Sequence, residues 1–426
     1  MNRTFDPARP CPACGLVHDC AIQSVVIRED AAQAVPDLLR GYSRALVVSD
    51  GNTRPLCFGP LSAALESAGV SFDEAFFPQT SIVVPDENSI GFVKSHVTDA
   101  TQLLIGVGSG VINDLCKHVS HLCSLPYMIF ATAPSMDGYA SKGAALILNG
   151  MKVTLNAAVP RWIVADVRVL AGAPMEMIQA GIGDVVGKYS SLSDWKLGAL
   201  LNGEVLCPDV YALAMEQTDA VAGCIEGCLR RELPAVRTLM EALVQVGFAM
   251  SYMGNSRPAS GSEHHLSHFF EIVGLLRGRP YLPHGIDVAY SSLETARLRK
   301  QALALDPAAF RHSFDPDAYR ADMRRVFGSL SGEVTALQEK VGFHRRDMHE
   351  IIAKRWPEIR QILREASDDA RQEELLRRAG LDPARFREFY GEDMIREALL
   401  YAKELKDRYT VQWLLDDVGA LEDCVK

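Results

Sequence analysis

Three histidines stand together in Ser260-Gly261-Ser262-Glu263-His264-His265-Leu266-Ser267-His268. Ser260 and Glu263 have the spacing of a helix-capping box. His264 and His268 are four apart and share one helix face, and His265 points elsewhere. Twenty residues after His264, Pro283-His284-Gly285 puts another histidine on a turn that opens a helix. Upstream, Asp184 and Lys188 share a face of an otherwise apolar helix. One aspartate and two histidines from three separate segments form an open site for a catalytic divalent metal. Three protein ligands leave positions for a substrate alkoxide or carbonyl, which the metal polarises. Taken singly, each histidine also reads as a capped or surface residue.

Two turns have the composition of a nucleotide cradle. Gly106-Val107-Gly108-Ser109-Gly110-Val111-Ile112-Asn113-Asp114 follows a strand and opens a helix. Glycines there let the backbone approach a pyrophosphate, and the exposed N–H groups of a helix start bind its charge. The spacing is not the usual G-x-G-x-x-G, and a purely structural turn is the alternative. Thr132-Ala133-Pro134-Ser135-Met136-Asp137-Gly138-Tyr139-Ala140-Ser141 follows the next strand and carries hydroxyls and one carboxylate. Ligands of open α/β sheets sit at such carboxyl ends; alternatively, Asp137 caps its own turn. Asp50 ends an earlier strand, where an acid either holds the adenosine ribose, favouring NAD over NADP, or turns the chain into Gly51. At the N-terminus, Cys11-Pro12-Ala13-Cys14-Gly15, with His18 and Cys20, resembles half a zinc knuckle. The alternative there is an arm with incidental cysteines, and neither reading explains a reaction.

These residues need a scaffold of two kinds. Apolar runs at 45–49, 103–107, 127–131 and 161–165 alternate with helical stretches such as 60–68, the pattern of a parallel sheet covered on both faces. After Pro174 helical spacing dominates, over 174–198, 208–228, 232–253, 263–276, 287–304 and 394–417. The expectation is an α/β dinucleotide-binding domain over 1–172, with a short Cys/His arm at 1–20, and an all-α metal- and substrate-binding domain over 173–426. The charge-rich stretch 368–378 reads as a solvated helix face.

Composition limits the function. Hydrophobic residues make up 48 % of the 426 and charged residues 23 %, a folded globular balance. The net charge of −10, from 44 basic and 54 acidic side chains, speaks against nucleic acid as a partner. No apolar run reaches a membrane-spanning length on this reading; the longest, over 239–253, contains Glu241 and Gln245. No secretory signal is visible, so the ten cysteines read as reduced cytoplasmic thiols.

Taken together, Gly108 to Asp114, Ala133 to Ser141, Gly183-Asp184 through Lys188-Tyr189 and Asp194-Trp195-Lys196 resemble the sn-glycerol-1-phosphate dehydrogenases, their bacterial branch above all. Ser262-Glu263-His264, Ser267-His268, Pro283-His284-Gly285 and the tail from Asp407-Arg408-Tyr409 to Asp416-Asp417 follow in the same order. That family belongs with the iron-containing alcohol dehydrogenases, glycerol dehydrogenases and dehydroquinate synthases. The resemblance implies a dehydroquinate synthase-like fold and NAD(P)-dependent interconversion of dihydroxyacetone phosphate and sn-glycerol 1-phosphate, a small phosphorylated triol. It implies a divalent metal, zinc or nickel, with Asp184, His264 and His284 as ligands. Asp137, Asp184 and His268 would act on substrate. Gly108, Ser109, Gly110, Val111, Ile112, Thr132, Ser135 and Ser141 would line the dinucleotide, NAD in preference to NADP, with Asp50 at its adenosine end. Such proteins are often homodimers or larger, and their product enters phospholipid synthesis. Lys188 is either a phosphate clamp or a snorkelling lysine. The competing readings are a glycerol dehydrogenase, a sugar-phosphate cyclase that regenerates its NAD, and a non-catalytic dinucleotide sensor.

Overall fold

The structure, a computed structural model, describes residues 5, 7–148, 151–311, 314–366 and 368–426. Its strands are β1 (Ser24–Arg28), β2 (Arg44–Asp50), β3 (Ser71–Phe77), β4 (Leu103–Gly108), β5 (Tyr127–Ala131), β6 (Gly143–Leu148), β7 (Met151–Asn156) and β8 (Trp162–Asp166). Six pair in parallel in the order β1-β8-β5-β4-β2-β3, and β6 and β7 form a separate antiparallel pair. The four expected strands are β2, β4, β5 and β8, the interior of the sheet. Alternate residues of these strands feed two cores: Leu46, Val48, Leu104 and Ile129 on one face, Ala45, Val47, Ile105 and Met128 on the other. Strands buried on both faces read as unbroken apolar runs, which is why they were visible. The edge strands β1 and β3 were not, because an edge tolerates charge, as Asp73 and Glu74 of β3 show.

The helices that matter here are α1 (Arg54–Ser67), α2 (Gly110–Cys123), α3 (Met175–Val186), α4 (Lys188–Asn202), α5 (Pro208–Ala222), α6 (Leu233–Met253), α7 (Ser262–Arg277), α8 (His284–Leu303) and α9 (Val411–Asp417). The expected helix over 174–198 is two, α3 and α4, interrupted at Gly187. The expected helix over 394–417 stops at Tyr401 and resumes only as α9. Between them lies a 3-10 turn whose Lys403 and Glu404 are buried as an ion pair. The stretch 305–390, assigned from sequence only at 368–378, contains further helices. Among them, Asp369–Arg378 buries Gln372, Leu375 and Leu376 and turns its Arg377–Glu373 pair outward, the solvated face expected.

Contacts group the chain into two compact units. The first comprises the chain through Cys11, Leu16–Val185 and Asp219–Gly254; the second comprises Pro12–Gly15, Val186–Thr218 and Asn255–Lys426. The sequence suggested a single boundary at 172/173, yet 219–254 groups with the sheet. The reason is α6, whose Val236, Met240 and Val244 complete the core on one face of that sheet. At 21 residues α6 is also long and apolar enough to cross a membrane, so the apolar run is longer than the sequence reading allowed. Here it is a core helix, with thirteen of those residues buried.

Candidate active site

In the first unit, the glycines of the β4–α2 turn have a packing reason. A Cβ on Gly108 would lie 2.6 Å from the Ile112 side chain, and one on Gly106 would meet Cys116 Sγ at 2.9 Å. Bare backbone lets α2 settle onto β4, and Ile112 and Cys116 are core residues rather than surface ones. Ser109, Gly110 and Val111 remain partly exposed at the helix start. Gly110 has only ordinary contacts, to Met136, so the turn combines a structural half with an open one.

The following turn is tied to it, since Thr132 N–H donates to Gly108 O at 3.1 Å. Tyr139 Oη donates to Ala133 O at 2.7 Å. Two helices clamp the turn from behind. Ser251 of α6 donates to Ala140 O at 2.8 Å. A Cβ on Gly181 of α3 would fall 1.8 Å from Pro134 O, so only glycine allows that approach. One turn further along α3, the fully buried Asp184 accepts the Asp137 N–H at 2.9 Å. Asp137 therefore acts on Asp184 through its backbone, and its side chain is not committed to that bond.

A residue missed from sequence also belongs to this turn. Lys117 of α2 is fully buried and donates to the carbonyls of Gly138 and Gly143, the latter at 2.8 Å. Burial pulls its amine below the usual lysine range, although Asp114 and Asp137 favour its charge. The available signal was a lysine at helical spacing from Asn113 and Ser120 on the buried face. Ser141 lies beside it at 3.4 Å, and Ser135 stays partly exposed. At the end of β2, Asp50 Oδ1 accepts from Asn52 N–H at 2.9 Å and Thr53 N–H at 2.8 Å. Asp50 thus does shape its own turn, and any ribose contact falls to its other oxygen.

In the second unit, the start of α7 departs from a capping box. The residue preceding the helix is Gly261, and no side chain of its own caps it. Glu263 Oε1 does reach back to Gly261 N–H, at 2.9 Å. The other half of the cap comes from α4: Asp194 Oδ2 accepts Ser262 N–H at 2.7 Å, and its Oδ1 accepts Val411 N–H of α9 at 2.9 Å. A Cβ on Gly261 would lie 2.7 Å from Asp194 Oδ2, which explains the glycine. Burial raises the Asp194 carboxyl, against the pull of Arg299. Asp194 thereby fixes where α7, and its histidines, begin.

His264 Nδ1 lies 2.7 Å from Glu263 Oε1, and His284 Nδ1 lies 3.2 Å from Ser267 Oγ. The ring centroids of His264 and His284 are 5.1 Å apart, with candidate ligand atoms within 4.8 Å. His268 stands 6.2 Å from His264 and 5.5 Å from His284. A carboxylate only accepts, so His264 Nδ1 carries a proton toward Glu263, while the Ser267 hydroxyl holds the His284 ring through its Nδ1, the kind of outer contact found behind metal-bound histidines. Burial pushes Glu263 up, but the His264 and Gly261 bonds outweigh it and hold the carboxyl below its ordinary range. Lys188 adds to that effect from α4 and is fully buried, so it is not a snorkelling lysine. His265 is fully buried without a hydrogen bond to either ring nitrogen. Burial, reinforced by Arg408, Lys406 and Arg257, keeps it neutral, and it takes no part in the histidine cluster.

The chain matches the family model for iron-containing alcohol dehydrogenases over residues 26–174. It is 30 % identical over 414 residues to a glycerol-1-phosphate dehydrogenase (NAD(P)+) of Bacillus licheniformis, covering 96 % of this chain and 92 % of that one. The chain belongs to the glycerol-1-phosphate dehydrogenase family. A Geobacillus stearothermophilus protein of the same name is 35 % identical over 301 residues, covering 68 % of this chain and 74 % of that one. Among solved structures, a probable glycerol dehydrogenase from Sinorhizobium meliloti shares the fold at TM-score 0.59 and 18 % identity, over 95 % of this chain and 97 % of that one. An archaeal halo-thermophilic Red Sea brine pool alcohol dehydrogenase does so at TM-score 0.62 and 12 % identity, over 96 % and 98 %. The parallel sheet followed by helices is the fold that the chain shares with these structures.

Proposed function

We propose that the protein interconverts dihydroxyacetone phosphate and sn-glycerol 1-phosphate by hydride transfer at C2. NAD(P)H, with NADH preferred, is the reductant, and Asp184, His264 and His284 hold one divalent metal, zinc or nickel. The observation that supports this most is family membership along nearly the whole chain. The donor chemistry fits a metal: two imidazoles with engaged Nδ1 atoms, and a buried carboxylate fixed through one oxygen. When bound, the nicotinamide supplies the hydride, and the metal supplies positive charge to stabilise oxyanion character at C2.

The chain's own residues do the rest. Glu263 sets the tautomer of His264, and Ser267 holds the His284 ring. Asp137 orients a substrate hydroxyl with its carboxylate while its N–H steadies Asp184. His268, one helical turn from His264, gives the C2 oxygen its proton on reduction and takes it back on oxidation. The N–H groups of residues 108–112 and the hydroxyls of Ser109, Thr132, Ser135 and Ser141 receive the dinucleotide. Asp50 at its adenosine end disfavours a 2′-phosphate. The working form is a cytoplasmic homodimer or larger assembly.

Net NADH oxidation by the metal-loaded full chain tests this, with dihydroxyacetone phosphate and unphosphorylated dihydroxyacetone in parallel. The expected result is turnover of the phosphate alone, abolished by a chelator and restored by zinc or nickel. Turnover of dihydroxyacetone alone would point to polyol oxidation. Cofactor reduced and regenerated without net change would point to a cyclase.

A further inference from the structure

The N-terminal arm carries a second set of metal-ligand side chains that the dehydrogenase chemistry does not use. Cys11 and Cys14 flank Pro12-Ala13, and His18 follows in a Cys-x2-Cys-x3-His spacing. The Cys11 N–H donates to Leu16 O at 2.7 Å, closing a turn in which Gly15 takes the left-handed φ of 77°. That is the backbone of a metal knuckle: a tight turn that aims two cysteines at one point.

Within the first unit, Cys11 and His18 are both buried, with ligand atoms within 4.8 Å of each other. His18 Nδ1 lies 2.9 Å from the Tyr252 carbonyl at the end of α6. A carbonyl only accepts, so Nδ1 carries the proton and Nε2 presents a lone pair. Phe5 and Tyr252 pack edge-on against the same ring, at 4.5 and 6.0 Å. Within the second unit, Cys14 and the fully buried Cys207 bring their sulfurs within 4.8 Å. The chain itself joins the two pairs, since Cys11 and Cys14 are three residues apart. Cys20, the fourth ligand suggested by sequence order, is engaged instead by Ser251 and the Ile22 backbone. The distant Cys207, just before α5, takes its place.

We propose that Cys11, Cys14, His18 and Cys207 hold a structural zinc ion, separate from the metal of the reaction. Three thiolates and one imidazole form a closed tetrahedral set, with no position left for substrate. Soft sulfur donors select zinc, whereas the aspartate and histidines of the reaction site suit a wider range of divalent metals. Binding releases the three thiol protons as Zn–S bonds form, without any change of oxidation state. The role is to pin the arm, whose local turn buries few apolar side chains of its own.

Metal analysis of the full-length protein tests this. Zinc-loaded protein should carry about two equivalents per chain, of which chelation at neutral pH strips first the one held by three protein ligands with a coordination position left open. A mercurial that caps thiols should then release the second. The Cys14→Ser/Cys207→Ser variant should lose that second equivalent alone, keep turnover within about twofold, and melt several degrees lower. Should that variant fail to fold, cobalt-substituted wild-type protein gives the same answer through its intense thiolate-to-cobalt charge-transfer band. A variant that retains both equivalents, zinc that the mercurial does not release, or cobalt protein lacking that band would overturn the proposal. The His264→Ala variant should retain the thiolate-bound zinc, so failure at one site is not confused with failure at the other.

Discussion

Replacing His264 with alanine is expected to abolish metal binding at the reaction site and to slow turnover roughly a thousandfold or more. That is about 4 kcal/mol of transition-state stabilisation, the scale of a lost Lewis acid. The fold should survive. Glu263, which loses its imidazole partner, keeps the Gly261 N–H and the nearby Lys188 charge. The control is the adjacent His265→Ala. That ring is buried and unbonded at both nitrogens, so its removal leaves a cavity and lowers stability while metal content stays intact. Isothermal titration with zinc or nickel, read beside steady-state NADH oxidation, separates the two variants. Full activity in His264→Ala would refute the ligand assignment, and equal metal loss in His265→Ala would show that the neighbouring ring had been mistaken for it.

The second large effect is expected at Asp194, which touches neither substrate nor cofactor in this account. Its two oxygens satisfy the N–H groups of Ser262 and Val411, and its charge offsets the buried Arg299. Asp194→Ala leaves two buried donors unpaired and removes the larger of the two carboxylate charges, Asp194 and Glu263, that offset the guanidinium, a loss of about 3–5 kcal/mol. Asp194→Asn should not rescue it. The amide keeps one acceptor and turns an NH2 group toward the other N–H, so a cost of about 1–3 kcal/mol remains. Urea unfolding monitored by tryptophan fluorescence measures both, with buried Trp195 next in sequence to the substitution. An alanine variant within about 0.5 kcal/mol of wild type would mean that Asp194 does not anchor α7.

These two residues also show what could be read from the sequence and what could not. The interior strands and the histidine helix announced themselves through unbroken apolar runs and 3.6-residue spacing. His264 and His268 lie near each other, as their four-residue spacing suggested, and the His284 ring stands beside both, which spacing alone does not say. The cap of α7 was misread because its acceptor, Asp194, lies 68 residues upstream, beyond any local pattern. Lys117 escaped notice for a related reason. A lysine on a helix reads as solvated until the carbonyls of Gly138 and Gly143 are found around its amine. Cys207 likewise gives no sign in sequence of a connection with Cys14. Edge strand β3 was hidden by its own acids. For Asp194, Lys117 and Cys207 the information lay in a partner distant along the chain, which periodicity cannot supply.

The most direct test of the central claim is the configuration of the product formed from dihydroxyacetone phosphate and NADH. The account predicts sn-glycerol 1-phosphate, which a stereospecific sn-glycerol-3-phosphate dehydrogenase leaves untouched. Complete oxidation of the product by that enzyme would contradict it.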